Sequence, residues 1–176
     1  MIEVSHKVMS VIAAVLMFAG ALPQSVQAAD FKGKVVTVID GDTLMILNGQ
    51  TPQKVVLYAI DCPEIGQDAG TTAKEFTAGR VLKKEVTVKD HGRDNYGRTI
   101  GEVILDDGTN LNKELVTSGL AWWTKKFAPE ATDYRDLERS ARTEKKGLWV
   151  AAEPMPPWIY RNGKRTRNVQ AVIKTK

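Results

Sequence analysis

Cysteine is almost absent from this chain of 176 residues: Cys62 is the only one, so no disulfide can form within it and the fold must rest on packing. Histidine is nearly as scarce. His6 falls in the N-terminal segment and His91 stands isolated beside Gly92, which leaves no support for a zinc site or a Cys–His nucleophile. No apolar run reaches the roughly 20 residues of a membrane span. The nearest, Val8 to Leu22, is shorter and is interrupted by Ser10 and Gly20. There is no internal repeat, and the body of the chain has no strong excess of one charge. The net charge of +4 comes from the C-terminal end, where Arg161, Lys164, Arg165, Arg167, Lys174 and Lys176 stand without an acid. With that stretch set aside, residues 29–160 carry two more acids than bases. Whole-chain charge therefore does not establish a nucleic-acid binder.

Lys7 gives the apolar run a weak positive start, Pro23 follows it, and Val26-Gln27-Ala28 has the small-x-small pattern of a signal-peptidase site. Residues 1–28 are expected to be an export signal cut after Ala28, which makes the mature chain periplasmic or secreted and free of the membrane. An uncleaved N-terminal anchor is the alternative. Residues 29–160 suffice for one domain with a real core. Residues 161–176 read as a basic, flexible tail, either solvated or tracking phosphates weakly. A monomer is expected, with no stable protein partner implied.

Beta-branched, partly alternating runs at Lys34 to Ile39, Thr43 to Leu47 and Lys54 to Ile60 predict three strands, with the Asn48-Gly49 pair turning the second into the third. A helix is expected from Thr71 to Leu82, with Phe76 and Val81 facing inward. Strands follow at Glu85 to Lys89 and Thr99 to Leu105, and Asp107-Gly108 closes the second. Asn110 is placed to cap a short helix carrying Leu111 and Leu115 and ending at Gly119. A longer helix is expected from Asp133 to Lys146, with Thr132 as N-cap, Gly147 as stop, and Tyr134, Leu137 and Ala141 on one stripe. This is an α+β order. Five strands interrupted by a helix suit a small closed barrel of the oligonucleotide-binding type, with about three helices packed on it.

Three short motifs sit where strands begin or end: Asp40-Gly41-Asp42-Thr43, Asp61-Cys62-Pro63-Glu64 and Asp94-Asn95-Tyr96-Gly97-Arg98. Each has a plain alternative, because Asp and Gly also make turns, an acidic loop needs no ligand, and Arg98 can be a surface residue. Taken together they offer carboxylates for a hard divalent cation and a guanidinium for a phosphate. Trp122, Trp123, Phe127 and Tyr134 invite base stacking, but core packing is the simpler role for the paired tryptophans. Lys125 and Lys126 are the better candidates for backbone phosphate contact.

With these motifs, and with Gly119-Leu120-Ala121-Trp122-Trp123, Lys146-Gly147-Leu148-Trp149 and Pro156-Pro157-Trp158, the chain resembles the thermonuclease (staphylococcal nuclease-like) family, in its bacterial exported branch, from about Lys34 to Trp158. The resemblance implies the same barrel and Ca²⁺-dependent hydrolysis of DNA and RNA. It implies Asp42 and Asp61 as metal carboxylates and the backbone carbonyl of Cys62, not its thiol, as a further ligand. It implies Glu64 as the residue that activates or orients the attacking water, and Arg98 as one of two phosphate-binding arginines. The second of these is missing. Its position, five residues before Asp61, holds Val56. Loss of one such donor costs on the order of 10²–10³ in rate. Lys54, two residues back on the same strand face, is a partial substitute at best, since it lacks the bidentate fork. Val56 thus keeps a rival open: a catalytically weakened nucleic-acid-binding module of the same fold.

Overall fold

The computed structural model describes residues 29–163. The expected signal, residues 1–28, and all but the first three residues of the expected tail lie outside the described residues. Strands β1 (Phe31–Val38), β2 (Thr43–Asn48) and β3 (Thr51–Leu57) form a meander, and Gly49, at φ 60°, supplies the left-handed turn between the last two. A two-residue strand β4 (Ile60–Asp61) and helix α1 (Gly70–Val81) come next, followed by β5 (Glu85–Arg93) and β6 (Thr99–Ile104). Helix α2 (Leu111–Thr117), strand β7 (Trp122–Trp123), helix α3 (Thr132–Thr143) and a 3₁₀ turn at Gly147–Val150 complete the body. Residues 157–163 add a further helix, α4.

The strands close in the order β1-β2-β3-β6-β5, with β5 pairing back to β1. All contacts are antiparallel except β3 with β6. The barrel is the expected five-stranded, oligonucleotide-binding type. Its inside is filled by Val35, Leu44, Ile46, Val55, Leu57, Val86, Val88 and Val103, all essentially inaccessible. In β1 the inward positions run Gly33, Val35, then Val38, a step of three where the register shifts between Val35 and Thr37. Leu111 and Leu115 bury the inner side of α2, as the sequence predicts. Asn112 beside them is wholly buried, accepting from the Val103 N–H and donating to the carbonyls of Tyr58 and Gly101. It ties α2 to the barrel at the point where β3 leaves it.

Several boundaries differ from expectation, each for a local reason. The third strand does not run unbroken to Ile60. Ala59 takes φ 64°, and Ile60–Asp61 turns away to pair with Trp122–Trp123, a small second sheet that no sequence pattern announces. In α1 the buried face is Gly70, Ala73, Thr77 and Val81, whereas Phe76 is only partly covered. Helix α3 begins one residue early, with Ala131 at the cap instead of Thr132. Its first-turn acid, Asp133, pairs with Lys113 at 2.8 Å. It also stops before Lys146, because Lys145 swings to φ 52° and Gly147 opens the 3₁₀ turn. The helical complement exceeds three by α4. Arg161, taken from sequence as the first residue of the tail, is part of that helix.

Candidate active site

The chain leaves β1 and re-enters β2 through Asp40, Gly41 and Asp42. Asp40 Oδ1 accepts from the Asp42 N–H at 3.1 Å, and the Ile39 N–H reaches the Thr43 carbonyl at 2.8 Å, so the loop is a tight polar turn. Two neighbours fix it from outside. The Thr77 hydroxyl of α1 donates to the Gly41 carbonyl at 2.7 Å, and the Leu57 N–H of β3 donates to the Asp42 carbonyl at 2.9 Å. The Asp42 carboxylate, 9% exposed, accepts from the Cys62 N–H at 2.5 Å and from the Thr43 hydroxyl at 3.2 Å. Asp42 and the 61–64 segment therefore share one wall.

That segment reaches the wall because of the break after β3. The Tyr58 N–H bonds to the Gly101 carbonyl, Ala59 reverses the backbone, and β4 then delivers Asp61 opposite Trp122. Glu64 follows, its N–H bonded to Gln67 Oε1 at 3.1 Å. A Cβ on Gly70 would lie 2.0 Å from the Glu64 carbonyl oxygen, so only glycine lets α1 start this close. On the opposite side, the Asp94 carboxylate gathers the N–H groups of Tyr96 and Arg98 at 2.9 Å each, and the Arg98 Nε at 2.6 Å. Burial works against ionisation of Asp94, but these donors outweigh it and hold its pKa below the ordinary value. Arg98 is thereby held in orientation, with about a third of its side chain open to solvent.

The three motifs converge. A cleft of about 610 Å³ is lined by Asp40, Asp42, Thr43, Asp61, Glu64, Asp94, Tyr96 and Arg98. Val56 lies in its wall, with β-sheet partners Thr43 and Ile100. Exposed rings of Tyr96 and Phe127 stand at the rim, and Tyr58 stacks on His91 at 3.8 Å between centroids. Lys54 is exposed and does not line the cleft. Lys125 and Lys126 are exposed on the turn between Thr124 and Phe127. Those two neighbours line the cleft and the lysines do not. Trp122 is buried in packing, edge-on to Trp149. A larger hollow of about 820 Å³, near Gln67, Leu148, Met155 and Ile159, contains none of the predicted site residues; the chemistry-bearing groups converge in the smaller one.

One cleft residue escaped the sequence reading. Arg161 reaches across from α4, with Nη1 3.0 Å and Nη2 2.7 Å from the two Asp61 carboxylate oxygens, and Nη1 2.7 Å from Glu64 Oε1. Hydrogen bonding to Asp61 raises the Arg161 pKa further still, so the group is a fixed positive charge. The partners lie 100 residues apart in sequence, a separation at which spacing carries no signal.

Burial is the main cause of a strongly raised Asp42 pKa, and the carboxylates of Asp40 and Asp61 add to it. Burial also raises Asp61, against the pull of Arg161. No ion pair among the described residues reaches Asp42. Among them there is likewise no cluster of three or more acid, His or Cys side chains spaced to enclose a metal unaided. A buried carboxylate crowded by two acids and lacking a basic partner nevertheless suits a hard cation completed by carbonyl oxygens and water. Cys62 contributes no thiolate, because burial first and the neighbouring acids second push its pKa well up.

A family model described as staphylococcal nuclease homologue matches residues 54–151. The chain is 39% identical to an "Uncharacterized endonuclease" of Escherichia coli O157:H7 over 139 residues, covering 79% of this chain and 90% of that protein. It is 34% identical to a "Micrococcal nuclease" of Shigella flexneri, over 78% of this chain and 84% of that one. It is 35% identical to "Protein ParB" of Escherichia coli, over 79% and 84%.

Proposed function

The chain belongs to the staphylococcal nuclease homologues and is a phosphodiester-hydrolysing nuclease, and from that premise we propose that it is a Ca²⁺-dependent enzyme cleaving both DNA and RNA with little sequence preference. The observation that carries the proposal is the cleft in which Asp42, Asp61, Glu64 and Arg98 meet. Asp42, Asp61 and the Cys62 carbonyl would hold the cation. When bound, Ca²⁺ supplies Lewis-acid polarisation of a phosphoryl oxygen. Glu64 orients a water and takes its proton as the water oxygen bonds to phosphorus. The bond from phosphorus to the leaving sugar oxygen breaks, and that oxygen acquires a proton from solvent. Arg98, steadied by Asp94, donates to the non-bridging oxygens as negative charge gathers on them. Recognition through the backbone is part of this reading, and Tyr96 and Phe127 offer exposed ring faces that any base can meet.

Export is part of the proposal and rests on the Val8 to Leu22 run and the Ala28 cleavage pattern; N-terminal sequencing of the purified native protein should begin at Ala29. A second reading, a binding module with little cleavage, is favoured by Val56. The deciding experiment incubates the mature chain with single-stranded DNA and with RNA, in Ca²⁺ and in chelator. Cleavage of both substrates in Ca²⁺ alone, abolished in Asp42→Ala and reduced at least a hundredfold in Glu64→Gln, is expected. Binding without cleavage would support the second reading.

A further inference from the structure

The cleft is heavily acidic for a site that must receive a phosphodiester. Asp40, Asp42, Asp61, Glu64 and Asp94 line it, and the guanidinium groups of Arg98 and Arg161 are the strong bases among its described lining. Arg98 is bonded to Asp94 through Nε. A divalent cation offsets two carboxylates, so a bound phosphate still needs more than one guanidinium to be held without repulsion. Val56, in the cleft wall, contributes none.

We propose that Arg161 is the second phosphate-binding guanidinium of this nuclease, delivered from α4 and not from the barrel strand that carries Val56. The proposal rests on the nuclease reading above. Three features support it. Arg161 is not a stray surface charge, because the helix that carries it is fastened by the residues that immediately precede it. Trp158 packs edge-on to Trp122 at 6.4 Å, Pro157 is buried, and the Tyr160 hydroxyl donates to the Gly66 carbonyl at 2.7 Å. Its head group lies at the reacting end of the cleft, on the carboxylates of the metal seat and the water-orienting Glu64. The contact is also exchangeable. Nearly half of the side chain is exposed, so movement costs little packing. Arg161 Nη1 and Nη2 occupy the two Asp61 oxygens that would ligate a cation, so cation binding there would free that edge of the guanidinium for a phosphate oxygen. Glu64 can retain its bond to Nη1, keeping the group in place during the exchange.

The test is a cycle of variants at 161 and 56, read by cleavage of single-stranded DNA at saturating Ca²⁺, by Ca²⁺ titration without nucleic acid, and by binding of an oligothymidylate. Arg161→Ala should fold with unchanged cooperativity, lower kcat by roughly 10²–10³, the scale of a preorganised donor, and weaken oligothymidylate binding while Ca²⁺ binding alone becomes tighter. Arg161→Lys should recover little, because a point charge cannot grip two phosphate oxygens. Val56→Arg should restore at least about tenfold in the Arg161→Ala background and give a distinctly smaller gain in the parent. Unchanged or faster cleavage in Arg161→Ala would instead make Arg161 a plug on the metal seat and overturn the proposal. So would an equal gain from Val56→Arg in both backgrounds. If the parent itself does not cleave, the nuclease reading fails separately. Arg161 is then judged on oligothymidylate affinity in Ca²⁺: weakening on Arg161→Ala supports the phosphate contact, and no change removes it.

Discussion

Gly41 occupies a position with no space for a side chain. A Cβ there would lie 2.7 Å from Cys62 Cβ and 2.9 Å from both Ala73 Cβ and Cys62 Sγ, all of them atoms of small, packed residues that cannot swing aside. The glycine is what allows the Asp40–Asp42 turn to press against α1 and the 61–64 segment at once. Gly41→Ala should cost about 1–3 kcal/mol, the usual range for overpacking. It should also weaken Ca²⁺ binding, because relief of the clash moves Asp42. Gly79 is the contrast: it lies in α1, exposed, with nothing within 4 Å of its would-be Cβ. Gly79→Ala should stabilise by about 0.5–1 kcal/mol through helix propensity alone. Urea titrations of both variants, with Ca²⁺ titrations of the first, check the pair. Stability unchanged by Gly41→Ala would mean that the turn can shift freely.

At the scale of elements, the joint between β6, α2 and α3 turns on Glu102. Its carboxylate accepts from the Tyr134 hydroxyl at 2.5 Å and from Asn110 Nδ2 at 2.9 Å, and His91 Nε2 lies 3.5 Å away. Burial opposes its ionisation, but these donors prevail and the pKa lies below that of an ordinary glutamate. The sign follows. A depressed folded pKa contributes stability that is complete above the unfolded value of about 4.3 and is lost as pH falls through the folded value. Glu102→Gln should therefore be less stable than the parent at pH 7, with the gap closing as pH falls below about 4. Urea melts at a series of pH values measure this, and a gap independent of pH would show that the carboxylate charge plays no part. Tyr134 is equally committed: burial and the bond to Glu102 raise its pKa far above that of a free tyrosine, so it stays a donor throughout.

For the whole molecule, the C-terminal segment divides into two parts with different work. Arg161 belongs to the cleft, whereas Lys164, Arg165, Arg167, Lys174 and Lys176 lie beyond the described residues and add positive charge to a body with a slight acid excess. A chain ending at Gly163 should bind single-stranded DNA more weakly at low salt, with a shallower salt dependence and nearly unchanged kcat. A chain ending at Tyr160 should lose kcat as well. Kinetics of the two truncations at 50 and 200 mM salt separate these effects, and equal kcat in both would detach Arg161 from the reaction. Much of the fold was already legible in the linear order of residues. Alternation in Lys34 to Ile39 and Thr43 to Leu47, the Asn48-Gly49 turn, the cap at Asn110 and the Leu111/Leu115 face are local signals, carried by side-chain periodicity and backbone preference within a few residues. The three acidic and basic motifs were legible for the same reason, each being a turn of four or five residues. What only the tertiary structure decided involves partners distant in sequence: the turn at Ala59 that pairs Ile60–Asp61 with Trp122–Trp123, the insertion of Asn112 between two carbonyls, and the reach of Arg161 to Asp61 and Glu64. Composition alone assigned Arg161 to a solvated tail. Trp158 against Trp122 and Tyr160 against Gly66 bring it into the cleft, because a side chain's role is set by the surface its element packs on, and no local pattern encodes which surface that is.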